Sequence, residues 1–358
     1  MRRNLKSLTV VTIILFWILV CVSSVWAEIG LGGKVEINVI STVDSYGEIT
    51  VDWQEHLNMN FFLPRFGNTS AKFEMDLYYE PQSQNNKVYW DVKKLYIKHR
   101  FEKLYLTLGR QPISWSFGSL VNPIDFTSES DLMGMIPEKS ENAVLGYIPF
   151  DWKSNLTVVA AFPESGDGLK WGLKGRTEYK GFDLTYNYVW EAEQVYEVWP
   201  EQRIGVTGKG DLGQVGVYGA VGYYFKNDLA QGQPVYLIGA DYSFDLDYGS
   251  KVVAQLEYIR DETGKIQPPG MGFDLLIGLL SYEIDEFASA GLITVINPKD
   301  KSLVLMPNYS NLIGEGLDFT LRGAVFIGDT ASQFGPKKLG IGYEIPRGII
   351  QMGFSYSF

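Results

Sequence analysis

The chain alternates. In Ile49–Phe62 the even positions are Thr50, Asp52, Gln54, His56, Asn58 and Asn60. The odd positions are Ile49, Val51, Trp53, Glu55, Leu57, Met59 and Phe61, and only Glu55 interrupts the apolar set. Lys72, Glu74 and Asp76 alternate with Phe73, Met75 and Leu77. Lys170, Gly172, Lys174 and Arg176 alternate with Leu169, Trp171 and Leu173, and Asp183, Thr185 and Asn187 with Phe182, Leu184, Tyr186 and Tyr188. Successive side chains of a strand point to opposite faces, so each segment predicts a strand with one apolar and one polar face. No long segment carries a helical period.

A soluble β-sandwich would alternate too, but three features favour a membrane barrel. Candidate strands run about ten to fourteen residues, long enough to cross a bilayer with tilt. Tyr, Trp and Phe gather near their ends, where interfacial girdles sit. The connections also alternate between short and long. Short turns are predicted at Phe101–Leu104, Phe150–Lys153, Tyr179–Phe182, Asp211–Gln214, Asp245–Ser250, Ile284–Phe287 and Ile313–Gly316. Longer polar links fall at Glu80–Tyr89, Gln111–Glu141, Glu191–Glu201, Lys226–Pro234 and Arg260–Gly270. With a periplasmic start at Glu28, every short turn lands on the periplasmic side and the long links face outward. The expectation is an all-β, transmembrane antiparallel β-barrel of about 18 strands, with 16 as the alternative. Lys337–Ile345 also looks like a strand, but an odd total would leave the C-terminus on the wrong side. Residues 328–347 are therefore read as a long outer loop with a hairpin extension.

Composition acquires meaning from this pattern. The chain is 46% apolar and 20% charged, with a formal charge of −11, and its mean hydropathy is −0.05. Those averages suit a soluble protein, but a barrel reaches the same values by setting a lipid face against a water face. The apolar and aromatic content excludes a disordered chain. The acidic balance argues against a nucleic-acid partner, and a single long apolar run excludes a polytopic helical protein. That run lies at the N-terminus. Arg2, Arg3 and Lys6 precede the apolar stretch Leu8–Val22, and Val25 and Ala27 offer a cleavage site, which is the layout of a secretory signal peptide over 1–27 cut after Ala27. The barrel would then occupy 28–358, in the outer membrane of a Gram-negative bacterium. Cleavage would remove Cys21, the single cysteine, so no disulfide framework is expected.

Two segments carry resemblances. Ile350, Met352, Phe354, Tyr356 and Phe358 alternate with Gln351, Gly353, Ser355 and Ser357. This resembles the C-terminal signature of bacterial outer-membrane β-barrels, and it implies that Tyr356 and Phe358 are read by the barrel assembly machinery. Gln111–Glu141 is a long non-strand link inside a tight alternation, and such links usually carry function. Gly109-Arg110-Gln111, Trp115, Gly118 and Asn122-Pro123-Ile124-Asp125 resemble a segment of porin-like outer-membrane families, including the alginate-export type. The resemblance implies fold and membrane address. In a wide barrel the 111–141 loop is a candidate constriction, with Trp115, Asp125, Glu129 and Asp131 in it.

Assigning the polar face of each strand to the lumen places Lys94, Lys98, Arg100, Lys170, Lys174, Arg176, Arg203 and Lys209 inward on the fourth to tenth strands, opposed there by Asp183. Arg110, at the loop attachment, joins this basic set. From the twelfth to the seventeenth strand the inward set is Asp241, Asp245, Glu257, Asp274 and Asp318, with Lys251 and Arg322. A basic wall facing an acidic one makes a transverse field that orients dipolar or anionic solutes; neighbouring charges that merely pair would keep the lumen hydrated. With two histidines in the chain, His56 and His99, there is little material for a nucleophilic triad or a histidine-rich metal site. The expectation is no enzyme, no cofactor and no metal. The expected function is passive diffusion of small hydrophilic, preferentially anionic solutes. A dedicated exporter of an anionic polysaccharide and a non-conducting structural barrel or rim enzyme are the alternatives. Expected partners are outer-membrane lipid and lipopolysaccharide, small solutes or oligosaccharide, and a second copy of the chain.

Overall fold

The structure is a computed structural model, and it describes residues 29–80, 87–115, 126, 140–162, 168–192, 202–226, 229–246, 250–262, 273–340 and 343–358. The leader with its cleavage site at Ala27 lies outside the described residues, as do Asp125, Glu129 and Asp131. The wall begins with β1 (Gly30–Val43), β2 (Ile49–Phe62), β3 (Thr69–Glu80), β4 (Lys87–Arg100), β5 (Tyr105–Pro112) and β6 (Ser140–Pro149). It continues through β7 (Asn155–Phe162), β8 (Lys170–Tyr179), β9 (Phe182–Glu191), β10 (Gln202–Leu212), β11 (Val215–Phe225) and β12 (Gln233–Asp245). Then follow β13 (Lys251–Asp261), β14 (Phe273–Glu283), β15 (Ala288–Asn297), β16 (Ser302–Gly314), β17 (Leu317–Ile327) and β20 (Gly348–Ser357). The two short strands between these last, β18 (Lys337–Gly340) and β19 (Tyr343–Ile345), pair only with each other. They are the hairpin extension expected within 328–347.

Each wall strand pairs antiparallel with its sequence neighbour, β17 pairs with β20, and β20 pairs back onto β1 from Lys34↔Ser357 to Val43↔Gly348. The result is a closed sheet of 18 strands, which leaves no edge to template aggregation. At the seam, Gly33 and Phe358 exchange backbone hydrogen bonds of 2.9 and 3.0 Å. A Cβ at Gly33 would lie 2.9 Å from the Phe358 ring and 2.2 Å from the Asn58 carbonyl oxygen, so this position requires glycine.

Local chemistry sets the turns. Lys180 (φ 52°) and Gly181 (φ 82°) form a two-residue link of the kind that matches strand twist. Asp44, Asp151 and Asp285 each accept two backbone N–H bonds from the residues that follow them, which is how aspartate pins a tight turn. The strand order puts the start of β1, the end of β20 and the links 63–68, 101–104, 150–154, 180–181, 213–214, 246–250, 284–287 and 315–316 at one end of the barrel, the turn end. The remaining links join strands at the loop end. The alternation of short and long is not strict, because 44–48 and 298–301 at the loop end are as short as the turns opposite.

The faces follow the period of two. Leu31, Val51, Trp90, Ile97, Leu173, Ile204, Ile238 and Leu280 are exposed and share the outward face. Their alternates point inward.

Candidate permeation path and its lining

The lumen has two kinds of wall. Along β1 to β4 it is a polar ladder. Lys34 pairs with Glu36 at 3.2 Å, both Lys72 and Lys94 with Glu74 at 3.3 and 3.0 Å, and His56 Nε2 lies 3.0 Å from Asp76 Oδ1. A bulge in β4 interrupts this register, since Glu74 faces Lys94 while Met75 faces Val92. The extra residue, Lys93, therefore joins Lys94 on the inward face, where it pairs with Asp91 at 2.9 Å and Asp76 at 3.8 Å. Period-two reading sends Lys93 outward, and nothing in the local sequence marks the bulge. Rings of His56 and Tyr78 stack at 4.4 Å, and those of Tyr78 and Tyr89 at 4.9 Å, across three strands of the same wall.

Along β6 to β10, at the loop end, the wall is covered. Ile113, Trp115 and Phe126 are buried with the inward residues Ala143, Val159, Ala161 and Val189. Trp115 lies against Gly172, where a Cβ would meet its six-membered ring at 2.7 Å. Its ring is 4.9 Å from that of Phe126. Two wall cations hold the segment by its backbone: Lys174 Nζ donates to the Trp115 carbonyl at 3.0 Å, and Arg203 Nη2 to the Phe126 carbonyl at 2.9 Å. Lys170 Nζ stands 4.7 Å from the Phe126 ring centre. Beneath them Lys170 pairs with Glu141 at 3.6 Å and Glu191 at 3.7 Å, and Arg203 with Glu191 at 3.4 Å. Arg203 is 2% exposed and Lys170 5%, so these charges need their partners to be tolerated there.

Most of the expected basic lining thus has a partner. Lys94, Lys170 and Arg203 are ion-paired, Arg176 is bidentate to Asp183 at 2.7 and 2.8 Å, and Lys174 is bound to the 113–115 segment. Lys98, Arg100 and Lys209 face inward without an ion pair among the described residues. Arg110 shares its register with outward-facing Leu106 and Leu108, but its guanidinium reaches the Val92 carbonyl and, at 3.3 Å, Asp91, a carboxylate of the inward ladder. His56 lines the lumen, whereas His99 lies on the outward face, bonded to Thr69 at 2.7 Å.

The opposite wall departs further from the expected acidic arc. Asp241, Asp245, Glu257 and Asp318 do point inward, but Asp274 faces outward beside Lys299 at 2.7 Å and Arg260 at 3.8 Å. Toward the loop end the inward face of β12 to β17 is apolar. Leu237, Ile259, Leu275, Ile277, Val295, Val304 and Phe326 are buried together with Phe334, which comes from the segment after β17. That segment is fixed by Asp300, which accepts from the amide of Gln333 at 2.6 Å and from Ser302 Oγ at 2.6 Å, and by Phe334 N donating to Ser302 Oγ at 3.2 Å. The Asp300 carboxyl sits below its ordinary pKa: burial pushes it up, but bonds from the Ser302 hydroxyl and the amides of Gln333 and Ser302 outweigh that. The sequence does signal this wall. Leu275-Leu276-Ile277, Leu292-Ile293 and Leu303-Val304-Leu305-Met306 are continuous apolar runs, the mark of strands covered on both faces.

No protein-family model and no curated protein matches the chain. Solved structures do share its fold. The outer-membrane protein Wzi of Escherichia coli, described as a carbohydrate-binding β-barrel involved in group 1 capsule assembly, aligns over 90% of this chain and 84% of its own at 13% identity and TM-score 0.59. Acinetobacter baumannii OccAB3 aligns over 92% and 99% at 10% identity and TM-score 0.55. An anion-selective porin from Comamonas acidovorans aligns over 93% and 100% at 13% identity and TM-score 0.51. None is described as an enzyme. The chain has the fold of outer-membrane porins and channels.

Proposed function

We propose that the chain is a porin-like outer-membrane channel through which small hydrophilic solutes diffuse, turn end toward the periplasm. Residues 111–141 act as its constriction. The observation that carries this reading is the contrast between walls at the loop end. Segments bearing Trp115, Phe126 and Phe334 cover the β6–β10 and β12–β17 sides, and the charged ladder of β1–β4 lies between them. A path along that ladder meets both signs of charge, which suits hydrated and zwitterionic solutes, and Lys98, Arg100 and Lys209, which have no ion pair among the described residues, add a mild anion preference. The leader over 1–27, recognition of Tyr356 and Phe358 by the assembly machinery, lipopolysaccharide contacts and self-association belong to the same reading.

The buried clusters on two walls, with the likeness to a carbohydrate-binding barrel, favour a second reading, in which the loop end is sealed and the chain binds oligosaccharide without conducting. Planar-bilayer recording separates the two. A channel gives discrete conductance steps that grow when residues 113–135 are removed, with reversal potentials that shift toward cations in Lys98→Gln/Arg100→Gln/Lys209→Gln. Absence of steps in both forms refutes the channel.

A further inference from the structure

Four consecutive links of the turn end, 63–68, 101–104, 150–154 and 180–181, share one composition. Each sets a cation beside an exposed aromatic ring: Arg65 by Phe66, Lys103 by Phe101, Lys153 by Trp152, and Lys180 by Tyr179. Lys153 Nζ stands 4.4 Å from the Trp152 ring centre, and Lys180 Nζ 5.3 Å from that of Tyr179. Phe101 continues the outward row of Leu95, Ile97 and His99, whose ring it meets at 4.3 Å, and Tyr179 continues that of Leu173. The next four links, 213–214, 246–250, 284–287 and 315–316, contain no lysine or arginine. They carry or adjoin Asp211, Asp245, Asp285, Glu286 and Glu315 instead, beside exposed Leu212, Leu246, Phe287 and Ile313. Successive links lie two strands, about 10 Å, apart. The rim is thus divided into a basic, aromatic sector from β2 to β9 and an acidic one from β10 to β17. An interfacial girdle explains apolar residues at every link; it does not explain why the charges are sorted.

We propose that the β2–β9 sector is a binding surface for anionic glycerophospholipid in the leaflet that borders the turn end. The rings lie at the level of the glycerol and the first acyl carbons, and the neighbouring cations meet the phosphate. Two carboxylates of the sector are already engaged: Asp151 accepts the amides of Lys153 and Ser154 at 2.7 and 2.6 Å, and Glu178 accepts from Lys153 at 3.0 Å. Glu102 remains, against Arg65, Lys103 and Lys180, which have no ion pair among the described residues. The acidic sector repels the same headgroups, so the lipid shell around the barrel is uneven. The proposal shares with the channel reading only the orientation of the turn end toward the periplasm, and it holds whether or not the barrel conducts.

The test uses the refolded full chain in nonionic detergent, with native mass spectrometry reading the binding of phosphatidylglycerol and of phosphatidylcholine with the same acyl chains. A lysine or arginine near an anionic surface strengthens attraction about fivefold. With three such cations partly offset by Glu102, phosphatidylglycerol is expected to bind about tenfold more tightly than phosphatidylcholine. Arg65→Gln/Lys103→Gln/Lys180→Asn should abolish that preference and Lys103→Arg/Lys180→Arg keep it; asparagine suits the positive φ of Lys180. Asp285→Asn/Glu286→Gln in the acidic sector should leave the preference unchanged. Affinities are compared between barrels whose heat-modifiable mobility shows them folded. Equal affinity for the two lipids, or an undiminished preference in the triple variant, overturns the surface. So does a gain in Asp285→Asn/Glu286→Gln as large as the triple variant's loss, which would assign binding to net charge alone. The orientation is read separately, in intact cells expressing Cys21→Ser/Glu315→Cys. Its labelling by an impermeant thiol reagent overturns the leaflet and the orientation in the channel reading together, whereas loss of the lipid preference overturns the surface alone.

Discussion

Removing the Trp115 side chain should free the segment it anchors. The indole is 4% exposed, and it packs on Gly172, Phe126 and the inward aliphatic residues of β6, β7 and β9. Truncating a large buried aromatic to alanine costs about 3–5 kcal/mol. The Lys174 bond goes to the backbone carbonyl, so Trp115→Ala leaves it in place and isolates the contribution of the ring. If docked and released forms exchange, that cost raises the released population by about two to three and a half orders of magnitude, at 1.4 kcal/mol per decade. Ala161 reports the exchange, because it is 0% exposed within the same cluster. An Ala161→Cys chain with Cys21→Ser should label slowly with a water-soluble thiol reagent, and the same chain with Trp115→Ala should label faster by up to that factor. Heat-modifiable electrophoretic mobility confirms that both barrels are folded. Equal labelling rates in two folded barrels would refute the anchoring role.

Gly172→Val should act from the other side of the same contact, since its Cβ would meet the Trp115 ring at 2.7 Å and the Tyr188 carbonyl at 2.9 Å; larger unitary conductance than the parent is the expected readout. Deleting Phe358 removes two seam hydrogen bonds, each worth about 0.5–1.5 kcal/mol, as well as the ring on Gly33. The urea midpoint of the folded barrel should fall, and the assembled fraction with it. Acid should loosen the segment around Gln333. The Asp300 pKa is depressed below its ordinary value of 3.8, so its stabilisation is complete well above that value and is lost as pH falls through the folded pKa. Amide exchange at Gln333 and Phe334 should accelerate below about pH 4 in the parent, and already at neutral pH in Asp300→Asn.

The architecture was legible because alternation has a direct physical cause. Ile49–Phe62 and Lys170–Arg176 are strands with their faces as expected, and the hairpin within 328–347 stands outside the wall. The site was legible only where regular geometry held. Lys93 escaped because a bulge flips one side chain without changing composition. Asp274 was misplaced because strands with apolar residues on both faces give parity nothing to count from. The same ambiguity hid the apolar wall around Leu275 and Ile277, whose covering segment is distant in sequence.

The seam between β1 and β20 joins residues from opposite ends of the chain. No strand pairing among the described residues encloses a longer loop, so it gains least from local structure during folding. An incompletely inserted chain would present β1 and β20 as two open margins, each with a row of unmet amide and carbonyl groups in lipid, where such groups cost several kcal/mol apiece. The ring is therefore finished by a zipper whose turn-end teeth are a glycine and an aromatic residue that face each other. Loss of Phe358 would be felt in β1, at Gly33, as much as in β20.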